Sequence, residues 1–208
     1  SEYRGRINGT DFILANALGV DVACSLGLAS RAPMTHFRPG TAGAFGAVAA
    51  AGKLLKFDNT TLLNAMGIVY SQISGTLQPH HEGAAINSMQ TGFNARAAVT
   101  AIFLAAAGIE GPRSVLEGPY GYLRIYEGSY DTREILQGLG NEWHDEGVGH
   151  KPYPCGRLTH SAVDAAIFLR LSHSIRPEDV EECVVVVPSL VHRLVGRCFS
   201  DARITPQY

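Results

Sequence analysis

Thr41-Ala42-Gly43-Ala44-Phe45-Gly46-Ala47-Val48-Ala49-Ala50-Ala51-Gly52-Lys53-Leu54-Leu55 is the stretch that decides the fold. From Ala42 to Leu55 it reads as a helix of very small side chains: Ala42, Ala44, Gly46, Ala47, Ala49 and Ala50. Each Gly inside a helix costs roughly 1 kcal/mol relative to Ala. Their recurrence therefore points to helices packed at close approach.

Working outward, Thr10 or Asp11 can cap an earlier helix that runs to about Leu28, with Ile13, Leu14, Leu18, Val20, Val22 and Leu26 apolar. Residues 31–40 form a loop with two prolines. A further helix starts at a cap near Asp58-Asn59 and carries Leu62, Leu63, Met66 and Val69 towards a core. Gly75 to Gly92 is polar and irregular. It leads into a helix from about Gly92 to Ala107, which Gly108 terminates.

The character changes after Gly111, where Tyr120, Tyr122, Tyr126 and Tyr130 cluster with glycines. A short acidic helix is expected over Asp131 to Leu139, a short strand or loop over Trp143 to Gly149, and a helix from Thr159 to about His173. Glu182 to Val187 ends in a run of valines and reads as a buried strand bounded by Pro188, with a second strand around Leu190 to Val195. The expected fold is mainly α: an all-helical domain over residues 1–112 and a smaller α+β domain over 113–208.

Composition narrows the function. The chain has 208 residues, 46% hydrophobic and only 17% charged, against a typical charged share of about 25%. So little charge implies more buried surface than a lone domain of this size needs, hence an obligate partner or further chain. A net charge of −2 and a pI near 6.4 exclude a nucleic-acid footprint. The longest apolar run, residues 97–108, falls short of the roughly 18 residues a membrane span takes. No basic stretch followed by an apolar run opens the chain, so no secretory signal is expected. Cys24, Cys155, Cys183 and Cys198 form no CxxC pair and suit neither a zinc site nor a disulfide framework. A reducing cytoplasm is the expected setting.

Four segments carry candidate chemistry. Lys151-Pro152-Tyr153-Pro154-Cys155-Gly156-Arg157 precedes Thr159-His160. Each Pro locks its own φ and pushes the residue before it to extended geometry, so Lys151 and Tyr153 are held extended. A proline-rich connector facing water accounts for the same pattern. His36-Phe37-Arg38-Pro39-Gly40 sets an Arg before the N-terminus of the small-residue helix, a basis for a carboxylate or phosphate pocket. Equally, it is a surface loop with Thr41 as N-cap. Asn87 to Gly92 precedes a helix with Asn94 and Arg96 in its first turn. The amides can hold a carboxylate or a developing enolate, or Thr91 is simply a cap. Gln78-Pro79-His80-His81-Glu82-Gly83 looks metal-like, but adjacent His side chains diverge, so a solvated loop and no metal are expected. No dinucleotide fingerprint, P-loop or nucleophile elbow occurs, which disfavours nucleotide cofactors.

Read in order, these segments resemble the MmgE/PrpD family. The resemblance rests on Pro39-Gly40-Thr41-Ala42-Gly43-Ala44-Phe45-Gly46-Ala47 with Lys53-Leu54-Leu55, and on Gly92 to Arg96 ahead of an Ala-rich helix. Gly111-Pro112 with Leu116-Glu117-Gly118 and the Lys151 to Asp164 run complete it. The resemblance implies a large all-helical domain and a smaller α+β lid with a site in the cleft between them. It implies a homodimer with no organic cofactor, and proton abstraction next to a carboxylate of a small di- or tricarboxylate. Dehydration, decarboxylation and epimerisation are all known in the family, on 2-methylcitrate, cis-aconitate and iminodisuccinate.

On that reading Lys151, Tyr153 and His160 are the catalytic candidates. His36, Arg38, Thr41, Asn87, Gln90, Arg96 and Arg157 are the substrate-binding ones. The departures are specific. The family's decarboxylases and dehydratases usually carry Lys where Asn87 stands and His where Gln90 stands. They commonly carry His at Phe37, and a lid His at the place of Gly156 or Leu158. The family's acidic, His-containing segment lies upstream of anything corresponding to Ser1, and its lid runs on past Tyr208. The chain is therefore expected to be a portion of such an enzyme. The second reading is a non-catalytic carboxylate-binding or dimerisation module of the same fold.

Overall fold

The small-residue stretch is the hub of the fold. In the computed structural model, which describes residues 7–196, it forms α2 (Arg38–Leu54), flanked by α1 (Gly9–Ala29), α3 (Asn59–Tyr70) and α5 (Ile86–Ala106). Contacts divide the chain into two compact units, residues 1–78 with 86–148, and residues 79–85 with 149–208. The short α4 (Gln78–Glu82) straddles that division.

In the first unit α2 packs against α1, α3 and α5. Ala42, Ala44, Phe45 and Val48 of α2 are buried with Ala97, Ala98, Ala101 and Ile102 of α5 and Val69 of α3. Small side chains let backbones nearly touch. A Cβ built on Gly19 of α1 would lie 2.8 Å from the Gly46 carbonyl oxygen, and one on Gly46 would meet the Gly19 oxygen closer still. α1 is long and apolar enough by composition to cross a membrane. Yet it buries Ala15, Gly19, Leu26 and Ala29, and its Asp21 carboxylate accepts a hydrogen bond from the His144 N–H at 2.8 Å.

Helix ends follow local chemistry with some shifts. α1 is capped by Asn8, whose side chain accepts from the Asp11 N–H at 2.8 Å, rather than by Thr10 or Asp11. Asp58 caps α3 through the Thr61 N–H at 2.7 Å. Gly108 follows α5 at φ +88°, a left-handed position that Gly takes without strain. α5 begins at Ile86, six residues before the expected start at Gly92 (92 − 86). No helix breaker lies between Ile86 and Thr91, so Asn87, Gln90 and Thr91 sit inside the helix instead of ahead of it.

Contacts do not divide the chain near 112, where the composition changes. Val115, Tyr122 and Leu123 belong to the same buried cluster as α2 and α5, so residues 113–148 are part of the first unit. The chain there makes one π-helical turn, Leu123–Glu127, and a short α6 (Arg133–Gly138). Trp143 to Gly149 holds a tight 3₁₀ turn, His144–Gly147, where a strand or loop was expected.

The described part of the second unit holds a 3₁₀ turn at Arg157–Thr159, α7 (His160–His173) and α8 (Ser189–Val195). Here the sequence reading needs correction. Among the described residues there is no strand in either unit, only two isolated bridges. The Glu182–Val187 run is not in regular structure, and Val186 is 93% exposed. Leu190 to Val195 lies in α8. The valine run has β propensity, but propensity needs a paired neighbour to become a strand, and no described residue supplies one. Cys198 lies outside the described residues.

Candidate functional site

In the first unit the candidates gather where α2 and α5 begin. The chain before α2 is tied to the loop after α3: His36 bridges to Thr76, and the Phe37 N–H donates to the Gly75 carbonyl at 3.1 Å. Arg38 opens α2, and Pro39 in the first turn suits a position whose N–H would go unpaired anyway. The Arg38 side chain turns back on its own fold. Its Nη2 donates to Glu127 Oε2 at 2.7 Å and to Ser30 Oγ at 2.9 Å, and its Nε donates to Glu127 Oε1 at 3.2 Å. The Tyr122 hydroxyl donates to the same carboxylate at 2.7 Å and stands 3.2 Å from Thr41 Oγ1. Thr41 is fully buried and not an N-cap; Phe37 holds that position.

Glu127 is thus a buried carboxylate with a forked guanidinium, a phenol and a hydroxyl around it. Burial pushes its pKa up, but the hydrogen bonds from Tyr122, Ser30 and Arg38, with the Arg38 charge, outweigh burial and leave it below the ordinary carboxylate value. Burial pushes the Tyr122 phenol far above its usual range, so it stays a proton donor at any ordinary pH. The guanidinium that the sequence offers to a ligand is neutralised inside the protein. His36 packs its ring 4.6 Å from that of Tyr126, with Nδ1 3.1 Å from Thr35 Oγ1.

Asn87 and Gln90 are also buried and engaged. Gln90 Nε2 donates to Asn87 Oδ1 at 3.1 Å, and Gln90 Oε1 accepts from the Thr76 N–H at 2.9 Å. Asn94, one turn on, accepts from the Ser74 N–H at 3.2 Å and donates to the Ser74 and Gln90 carbonyls, each at 2.8 Å. Together Gln90 and Asn94 clamp the 74–76 loop onto the first turns of α5. Arg96 is exposed, its guanidinium 5.8 Å from the centre of the Phe93 ring. Two sizeable cavities of the first unit, about 710 and 660 Å³, are lined by none of these residues.

In the second unit, Tyr153, Cys155 and His160 come together. The Tyr153 hydroxyl donates to Asp164 Oδ1 at 2.5 Å, and its ring meets His160 edge-on with centroids 5.4 Å apart. The hydrogen bond to Asp164 pushes the Tyr153 phenol up. Cys155 Sγ lies 3.1 Å from Thr159 Oγ1. His160 Nε2 is buried and, among the described residues, has no hydrogen-bond partner. Lys151 and Arg157 are exposed. His80 contacts the Leu194 carbonyl oxygen at 3.0 Å. Among the described residues no three His, Cys, Asp or Glu side chains are placed to share a metal ion.

Sequence reasoning missed Glu127 and Ser30, and named Tyr122, Asn94 and Asp164 without the partners they take in the fold. The Asp164 signal was available, since His160 and Asp164 are four apart on one helix and must share a face. Glu127 carried no such signal, because its partner lies 89 residues away.

A family model, the MmgE/PrpD N-terminal domain, matches residues 1–135. The chain belongs to the MmgE/PrpD family. Its relatives include a cis-aconitate decarboxylase of Aspergillus terreus, 32% identical over 176 residues, covering 79% of this chain and 36% of that protein. A mouse cis-aconitate decarboxylase is 27% identical over 217 residues, covering 95% and 42%, and the human one is 25% identical over 198 residues, covering 92% and 39%. The chain thus spans about two fifths of the length of these relatives. Asn87 and Gln90, the amides at the two positions where the resemblance leads to the expectation of Lys and His, are both buried.

Proposed function

We propose that this chain is part of a cofactor-independent MmgE/PrpD lyase acting on a small di- or tricarboxylate, with decarboxylation of a cis-aconitate-like substrate as the leading reaction. The single observation that supports it most is the similarity to cis-aconitate decarboxylases, which extends through the Lys151 to Asp164 segment in the mammalian matches. In this reading the second unit supplies the reacting groups. Lys151 is exposed, a point charge for a carboxylate or a proton carrier. His160 offers an uncommitted ring nitrogen. Of the two candidate cations of the first unit, Arg96 is the one exposed to meet a carboxylate, because Arg38 is spent on Glu127. Dehydration of a 2-methylcitrate-like substrate and epimerisation use the same first step, loss or gain of a proton beside a carboxylate. The reading also carries a homodimer in the cytoplasm. The dimer is supported by apolar surface on the first unit, such as Ile13 at 70% exposure.

One observation favours the second reading, a carboxylate-binding or dimerisation module without turnover. Asn87 and Gln90 stand where the resemblance implies ionisable groups, and their amides are engaged with each other and, through Gln90, with the Thr76 N–H. A thermal-shift screen with cis-aconitate, citrate, methylcitrate and tartrate, followed by proton NMR of any hit, separates the two. Product formation accompanied by loss of CO₂ supports the decarboxylase. Stabilisation without turnover supports the module. Lys151→Ala is expected to lower kcat strongly with the fold intact, and unchanged turnover removes Lys151 from the mechanism.

A further inference from the structure

α7 begins at His160, and Asp164 follows four residues later. Side chains four apart on a helix stand one above the other, so the imidazole and the carboxylate are neighbours. The Tyr153 side chain spans both. Its hydroxyl donates to Asp164 Oδ1 at 2.5 Å, and its ring stands edge-on to the imidazole with the planes 85° apart. Pro152 and Pro154 restrict the backbone on either side of Tyr153. In this hydrogen bond the phenol donates and the carboxylate accepts. An ionised Asp164 only accepts, so the Tyr153 proton is committed to it and is not offered to a substrate. His160 is the opposite case: its Nε2 is buried and has no partner among the described residues. Buried polar atoms in native proteins are almost always paired, and one that is not asks for a reason. The remaining titratable group bearing on Tyr153 is Cys155, whose thiol is engaged with Thr159.

We propose that Asp164 is a positioning residue for His160, acting through Tyr153: the carboxylate fixes the phenol, and the phenol ring fixes the imidazole with Nε2 left free for proton transfer. The proton-transfer role of His160 rests on the lyase reading above; the Asp164–Tyr153–His160 arrangement does not.

The test uses protein labelled with ¹³C at the tyrosine ring, with the Tyr153 signal assigned by its loss in Tyr153→Phe. Asp164 is exposed, so Asp164→Asn is expected to fold as the wild type does. The Tyr153 phenol should ionise at lower pH in Asp164→Asn than in the wild type, because its anionic acceptor is gone. The His160 ring-proton resonance should shift on Asp164→Asn, and should shift much less when the same change is made in Tyr153→Phe. In turnover of cis-aconitate, Asp164→Asn should lower kcat by up to about a hundredfold, as misplacement of a reacting group does, with little change in KM. It should cost nothing more once Tyr153→Phe is present. An unmoved phenol titration, an unmoved His160 resonance, or equal losses in the two backgrounds overturns the proposal. Absence of turnover in the wild type refutes the lyase reading alone, and the two resonance measurements still decide the arrangement.

Discussion

At the scale of single residues, the same side chain can be a ligand-binding group or a structural one, and its partner decides which. Arg38 is the clearest case. The sequence shows an Arg at a helix start and suggests an anion pocket. The fold brings Glu127 to it from 89 residues away, with side-chain exposures of 23% for Arg38 and 4% for Glu127. Removing one member of a buried pair leaves the other uncompensated, which costs about 3–5 kcal/mol when both are deeply buried. Arg38 keeps some water contact, so Glu127→Gln should destabilise by less than that, about 2–3 kcal/mol at neutral pH. The pH dependence follows from the sign of the shift. The folded carboxyl titrates below its ordinary value of 4.5. Its contribution is therefore present in full above that pH and is lost as pH falls through the folded value. Urea midpoints measured from about pH 6 to about pH 3 should show the gap between wild type and variant closing on acidification. A gap that stays constant would mean that the ion pair is not the source of the difference. Asn87 and Gln90 teach the same lesson. Their identity as amides was legible, but their partners at Thr76 and within α5 depend on where the loop after α3 lands, which no local pattern encodes.

At the scale of elements, the small-residue helix was legible because its cause is local. Gly and Ala at this density have no reason to recur except close packing, and α2 does pack on three helices. The glycines are not equivalent. Gly46 faces the Gly19 carbonyl of α1, whereas a Cβ on Gly43 meets nothing within 4 Å. Gly46→Ala should therefore force α1 and α2 apart and destabilise by about 1–3 kcal/mol or more. Gly43→Ala should stabilise by about 0.5–1 kcal/mol, since Ala is the better helix former. Thermal or urea unfolding of the pair checks this. A stable Gly46→Ala would show that the crossing has slack. The valine run failed as a strand for a complementary reason. A helix completes its hydrogen bonds within itself, but a strand needs a second one, and its presence cannot be read from the strand's own residues. The start of α5 was placed late because Asn, Ser, Gln and Thr weaken a helical pattern without forbidding it.

At the scale of the whole molecule, burial is distributed unevenly. The buried apolar cluster runs from Leu26 to Leu123, inside the first unit. None of the described residues in 79–85 or 149–196 is buried. α7 shows the consequence, with Phe168 67% and Leu171 69% exposed. Opening free energy in a native protein scales with buried contact, so regions without it exchange their amides through local rather than global opening. Amides in the middle of α2 and α5 should exchange at or near the rate set by global unfolding. Those of α7 should exchange at least roughly a hundredfold faster, through openings of their own helix. Hydrogen exchange of this chain followed by mass spectrometry resolves the two regions directly. Ligand stabilisation acts on whatever it binds. If the reacting groups sit in the second unit, a bound polycarboxylate should slow exchange in α7 more than in α2. Equal protection of α2 and α7 without ligand would mean that the apolar face of α7 is covered in solution, and that the low burial of the second unit does not describe its working state.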